Sequence, residues 1–267
     1  MPLPAPGAEL AALMILAWAA FVSIPLALGS IGLSWDALNH HVYLGWIAEH
    51  PRFERDYLAA SFQSFQYPYL YWPFYKLFMS GMPGRWAGAL LVTLNIAAVP
   101  PLWMLARRFV PDRDWYGLAL RWLAVALAFT SGLTLSMFDT SANDLLAAIP
   151  LVWALAFAIE AREAPSHGRW SVRHLLLLSG FFAGAAVAFK LSNGPLAILM
   201  PLLWLVPGRS WLDRALDVLC ACAATLVGVL LLYGPWGWQL WSHYGNPVYP
   251  FYDNYFDALR AATGWRP

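Results

Sequence analysis

The run Asp36-Ala37-Leu38-Asn39-His40-His41-Val42-Tyr43 places an acid, two imidazoles and a phenol within eight residues. Asp36, Asn39/His40 and Tyr43 fall at helical spacing, so a short helix would carry them on one face. A carboxylate held beside a hydroxyl can take its proton, and partial burial raises its pKa toward a working value. The alternative role for Ser34 or Asp36 is to cap that helix. The adjacent histidines invite a metal ion, yet neighbours on an α-helix diverge by about 100° and do not readily share one.

Three further segments carry polar chemistry. Asp139, Asn143 and Asp144 precede an apolar stretch, where Asn143 or Asp144 suits a helix start; two acids could also hold a divalent cation, though no third ligand is identifiable. Lys190-Leu191-Ser192-Asn193-Gly194-Pro195 closes one apolar stretch and opens the next, with Pro195 where a missing N–H is no loss. A cation at bilayer depth costs roughly 2.5 to 3.5 kcal/mol at a helix centre, so Lys190 must snorkel, pair or hold an anionic ligand. Ammonium groups and helix amino ends both favour phosphate. Asn246 and Asp253 belong to an aromatic tail, read as an interfacial helix followed by the turn former Gly245-Asn246-Pro247. Residues 64–75, including Gln66 and Tyr67, are dense in aromatic rings and broken by two prolines. That stretch suits either an interfacial belt or the wall of a groove for a lipid-linked substrate or a sugar.

These segments need elements to position them. The chain is 60% hydrophobic and only 12% charged, with a mean hydropathy of +0.54, which makes it a polytopic membrane protein. A hydrocarbon core about 30 Å thick needs about 20 apolar residues per helix, and lipid tolerates no open sheet edge, so the expected fold is an all-α transmembrane bundle. Seven stretches qualify: 10–33, 86–105, 118–137, 145–159, 175–191, 195–207 and 215–233. The fourth and sixth are short enough to require tilt or thinning. The first reads as a retained anchor, since its apolar core is too long for a cleaved signal and no Lys or Arg precedes it. A single transmembrane domain, 1–267, then carries an outer loop at 34–85, with interfacial helices, and an outer tail at 234–267. Gly180 and Gly184 form a small-xxx-small pair suited to close helix packing. Cys220 and Cys222 point apart on a helix and imply neither disulfide nor metal. A net charge of +1 gives no sign of a nucleic-acid partner.

Orientation follows from arginine in the short loops. Arg107, Arg108 and Arg113, then Arg162, Arg169 and Arg173, then Arg209 and Arg214 all fall on one side if seven spans are correct. That side is cytoplasmic and includes the amino terminus. Asp36, His40, His41, Asn143, Asp144, Lys190, Asn193 and Asn246 then gather on the outer face from four separate segments. Acids, imidazoles and amides around a cation are what a polar acceptor and a phosphate-bearing donor require.

The order of elements resembles the membrane glycosyltransferases of the GT-C class, particularly bacterial members. The resemblance is carried by residues 36–43, by the aromatic segment from Gln66-Tyr67-Pro68 to Pro73-Phe74-Tyr75, by Ser141-Ala142-Asn143-Asp144, by Lys190-Leu191-Ser192-Asn193 and by Tyr244-Gly245-Asn246-Pro247-Val248-Tyr249-Pro250. It implies an inverting transferase of the bacterial inner membrane. Its periplasmic or extracellular face would move a sugar from a polyprenyl-phosphate donor to a lipid or glycan acceptor, with no required cofactor. By the resemblance Asp36 matches the acid that acts as base, and Lys190 contacts the donor phosphate. His40, His41, Tyr43, Gln66, Tyr67, Asn143, Asp144, Asn193 and Asn246 join it around the substrates. The chain departs from the family where an acidic pair is common, since Ala37 follows Asp36, and in having fewer spans. It ends in an outer segment with no return span, so it reads as a fragment, a shortened homologue or one half of a complex with a partner subunit.

Two other function classes fit the same pattern. A non-catalytic subunit that binds a lipid carrier would use the same outer surface. A transporter would carry charge along a path through the bundle, yet mid-span positions are nearly free of polar groups apart from Asn95, and no internal repeat is apparent.

Overall fold

Long apolar runs can satisfy their backbone groups in lipid only as helices, and the computed structural model, which describes residues 3–56, 59–163 and 171–265, is a helical bundle. Helix α1 spans Pro6–Leu28, and a π-helical turn at Ala37–His41 leads into α2, Val42–Ile47. Helix α3, Trp72–Met79, precedes α4, Gly84–Thr93, which passes through a 3-10 segment at Leu94–Ala98 into α5, Val99–Phe109. There follow α6 (Trp115–Ala128), α7 (Gly132–Ser136), α8 (Asp144–Glu163), α9 (Val172–Phe189) and α10 (Gly194–Trp204). The chain continues through α11 (Trp211–Leu232), α12 (Gly234–Tyr244) and α13 (Asp253–Thr263).

Among the described residues five helical units are long and apolar enough to cross a membrane: Pro6–Leu28, Gly84–Phe109, Asp144–Arg162, Val172–Phe189 and Trp211–Leu232. Two shorter apolar helices, Trp115–Ala128 and Leu191–Trp204, account for the third and sixth expected spans. The lengths correct one expectation. The third stretch, not the fourth, is short, because α6 stops at Ala128 and Ser131 caps a new helix by accepting from the Thr134 amide. The fourth runs for 20 residues because its polar end remains helical. There Arg162 donates to the carbonyls of Leu203 and Leu205, each at 3.2 Å.

Helix α9 is the hub of the carboxyl-terminal half, and its glycines explain why. A Cβ at Gly180 would run into the Ala221 carbonyl of α11, and one at Gly184 into the Thr225 carbonyl. Gly228 returns the contact against the Phe181 carbonyl. The small-xxx-small reading of Gly180 and Gly184 is therefore borne out as close helix packing. The Ser179 hydroxyl donates to the Ala154 carbonyl at 2.7 Å and accepts from Trp204 Nε1 at 2.9 Å, linking α8, α9 and α10. In the amino-terminal half α1 inserts Leu13, Phe21 and Val22 among Val92, Val99, Trp103, Val125 and Phe129. Cys220 and Cys222 are free thiols.

The two ends of the bundle differ in chemistry. At the end holding the α5–α6 and α10–α11 connections, Arg121 binds Glu9 through Nε at 2.7 Å and Nη2 at 3.0 Å, while Trp103 donates to Glu9 at 3.0 Å. Asp217, buried at 1% exposure, is held there by Arg173 at 2.9 Å and Arg209 at 2.6 Å. Arg169, counted among these loop cations from the sequence, lies outside the described residues.

The opposite end carries a folded layer. Helix α12 continues from α11 through Tyr233 and lies against α2 and the segment between α2 and α3, so that Leu44, Ile47, Phe53, Phe65, Tyr71, Trp236 and Leu240 share one core. Trp236 Nε1 donates to the Phe65 carbonyl at 3.0 Å. Much of the aromatic segment is therefore packed interior, with Phe65, Tyr71 and Phe74 all buried.

Candidate functional site

The site is built on the π-helical turn. The Val42 amide reaches back five residues to the Ala37 carbonyl, widening the turn by one residue. Ordinary α spacing directs His40 and His41 apart, but here both are buried, with ring centroids 4.3 Å apart. Ser34 accepts from the Ala37 amide at 3.1 Å, so the capping role falls to Ser34 and Asp36 makes no cap bond. The Asp36 carboxylate, half exposed, lies 3.8 Å from His40 Nδ1. That nitrogen is buried without a hydrogen-bond partner among the described residues.

Behind the pair stands Tyr71. Its ring stacks on His41 with centroids 4.7 Å apart and planes 29° from parallel, and His41 Nδ1 lies 2.7 Å from Ser141 Oγ. Burial, then the neighbouring His40, pushes the His41 imidazole down to about 4, leaving it neutral at pH 7. Burial also lowers His40, against the pull of Asp36. Burial raises the Tyr71 phenol to about 12, opposed by a hydrogen bond with the Asn143 side chain, so it stays protonated.

Next to this cluster opens a cavity of about 340 Å³. The segment between α2 and α3 contributes Gln66, Tyr67 and Tyr71, the start of α8 contributes Asn143, and the α9–α10 turn contributes Lys190 and Ser192. Tyr233 at the end of α11 and Phe251 and Tyr252 of the tail complete the polar and aromatic wall. Lys190 ends α9 in an extended conformation and its ammonium donates to Asp144 Oδ1. Both Asp36 and Lys190 act electrostatically on His40 and His41, so acid and ammonium lie at the same end of the bundle around one histidine pair.

The sequence-derived candidates divide into three groups. Gln66, Tyr67, Asn143 and Lys190 line the cavity, and Asp144 joins through its ion pair. Asp36, His40 and His41 form the adjoining cluster. Tyr43, Asn193 and Asn246 are elsewhere. The charges that act on Tyr43 are Asp56 and Arg52; its hydroxyl is buried without a hydrogen-bond partner among the described residues, and burial and Asp56 raise its phenol to about 12. Asn193 donates to the carbonyls of Ala147 at 3.0 Å and Ala186 at 2.9 Å, which staples the turn to α8 and α9. Asn246 is fully buried. It donates to the Phe251 carbonyl and Asp253 Oδ1, both at 3.0 Å, and accepts from the Val248 amide at 2.9 Å, so its polar atoms shape the tail.

Sequence reasoning passed over Tyr71, Ser141 and Tyr252 as individuals. Tyr71 looks like any ring of its aromatic neighbourhood, and nothing marks Ser141 until His41 is seen beside it. Tyr252, a cavity residue, has a left-handed φ of 57°, unusual for a residue with a large side chain. Among the described residues no three His, Cys, Asp or Glu side chains converge as a metal-ligand set. Comparison of the chain with protein-family models, with curated proteins and with solved structures yields no match.

Proposed function

We propose that this protein transfers a sugar from a polyprenyl-phosphate donor to a lipid or glycan acceptor at the outer face of a bacterial inner membrane. The observation that carries the reading is the position of Lys190 on the wall of an aromatic cavity, next to a cluster in which Asp36 meets a buried histidine. In the proposed reaction the Asp36 carboxylate takes the acceptor hydroxyl proton as that oxygen bonds the anomeric carbon. The bond from that carbon to the phosphate oxygen breaks, and Lys190 balances the charge on the departing lipid phosphate. Tyr67 and Tyr233 offer ring faces on which a sugar or an isoprenoid can lie. The arginines gathered at the far end of the bundle support an outward-facing site.

A sugar-transfer assay with radiolabelled donor tests the reading. Asp36→Asn lowers the rate by about a hundredfold or more, the usual contribution of a general base; full activity in that variant removes the proposed base. A second reading, a lipid-carrier-binding subunit without turnover, is favoured by one observation: Asp36 is not among the residues that line the cavity. Binding of polyprenyl phosphate without transfer decides for it.

A further inference from the structure

The cation of the cavity already has a partner supplied by the chain. Lys190 lines the cavity, whereas Asp144 reaches it from the first residue of α8, and the two side chains remain 34% and 50% exposed. An ion pair open to water is weak, and its two members separate readily when a better partner arrives. A lipid phosphate in the cavity would bring more acceptor oxygens than one carboxylate, and Gln66 and Ser192 on the same wall offer further donors. Asp144 also lies within electrostatic reach of His41 and Tyr71, so a carboxylate released from Lys190 stays beside the histidine cluster.

We propose that Asp144 is the resident counter-ion of Lys190 and that a phosphate-bearing lipid enters by taking its place. Asp144 thereby sets how strongly the cavity prefers an anionic lipid to a neutral one of the same shape. The proposal rests on the reading of this cavity as a lipid-phosphate site.

Calorimetric titration of the full chain in detergent with farnesyl phosphate and with farnesol tests it. Asp144→Asn and Asp144→Ser, both suited to a helix start, bind farnesyl phosphate about fivefold more tightly, the scale expected when an exposed ion pair no longer competes. Farnesol binding is unchanged in both, and Lys190→Ala binds the two probes alike. Unchanged or weaker farnesyl phosphate binding in both Asp144 variants, with the wild-type preference for the phosphate intact, overturns the exchange and leaves the lipid-phosphate reading standing. Absence of that preference in the wild type and in both Asp144 variants overturns both.

Discussion

The His41 imidazole is sandwiched by chemistry from two distant loops: Tyr71 stacks on its face with centroids 4.7 Å apart, and Ser141 Oγ lies 2.7 Å from its Nδ1. This contact joins the segment between α2 and α3 to the segment that opens α8.

Tyr71 is the residue both sides depend on. At 4% exposure it supports His41, and its hydroxyl meets the Asn143 side chain. Tyr71→Ala lowers stability by about 3 to 5 kcal/mol through the cavity it leaves. Tyr71→Phe costs about 1 to 3 kcal/mol, because it strands the Asn143 partner. Thermal unfolding in detergent measures both, and equal losses would show that the hydroxyl makes no difference.

Acid weakens this layer through the buried histidines. His41 has its pKa depressed from 6.5 to about 4, so between those values the unfolded chain binds a proton that the folded chain does not. Stability is fully present above about 6.5 and falls as the pH drops toward about 4. His41→Gln flattens that slope by removing this group's share. A melting-temperature series from about pH 7.5 to about pH 4.5 follows the difference; parallel curves for the variant and the wild type would refute it.

Gly180 and Gly184 admit no side chain, since α11 backbone carbonyls occupy the space. Alanine at either position forces α9 and α11 apart, with an expected loss of about 1 to 3 kcal/mol, as for other overpacked sites. Alanine at Gly132, which faces open space, is the control and has little effect on the melting temperature.

The pair Glu9–Arg121 is buried on both sides, at 4% and 6% exposure. Glu9→Ala leaves the guanidinium without its acid and costs about 3 to 5 kcal/mol. The double replacement Glu9→Leu with Arg121→Met recovers most of that loss, because it removes both charges together. A double variant no more stable than Glu9→Ala contradicts this account.

Much of the architecture is legible in the chain because its cause is local. A stretch such as 215–233 has too few charges to leave lipid and can satisfy its backbone only as a helix, whatever its neighbours are. The same holds for the Gly180–Gly184 spacing, which needs only one close partner, and for the placement of Lys190 at the end of an apolar stretch. Helix ends are less secure: the break after Ala128 turns on Ser131 capping a fresh helix, a small local preference against a long apolar run.

The sequence by itself determined a helical membrane protein, its segregated loop charges and the presence of an acid, an imidazole pair and an ammonium at or between the ends of its apolar stretches. Only the tertiary structure decided that a π turn brings His40 and His41 together, that Lys190 is held by Asp144 from another helix, and that Asn193 and Asn246 spend their amides on backbone. Span identity follows from the summed hydropathy of adjacent residues, a property each segment carries alone. Partnership is a property of two segments, and it is settled by which loops the packed helices bring to the same end.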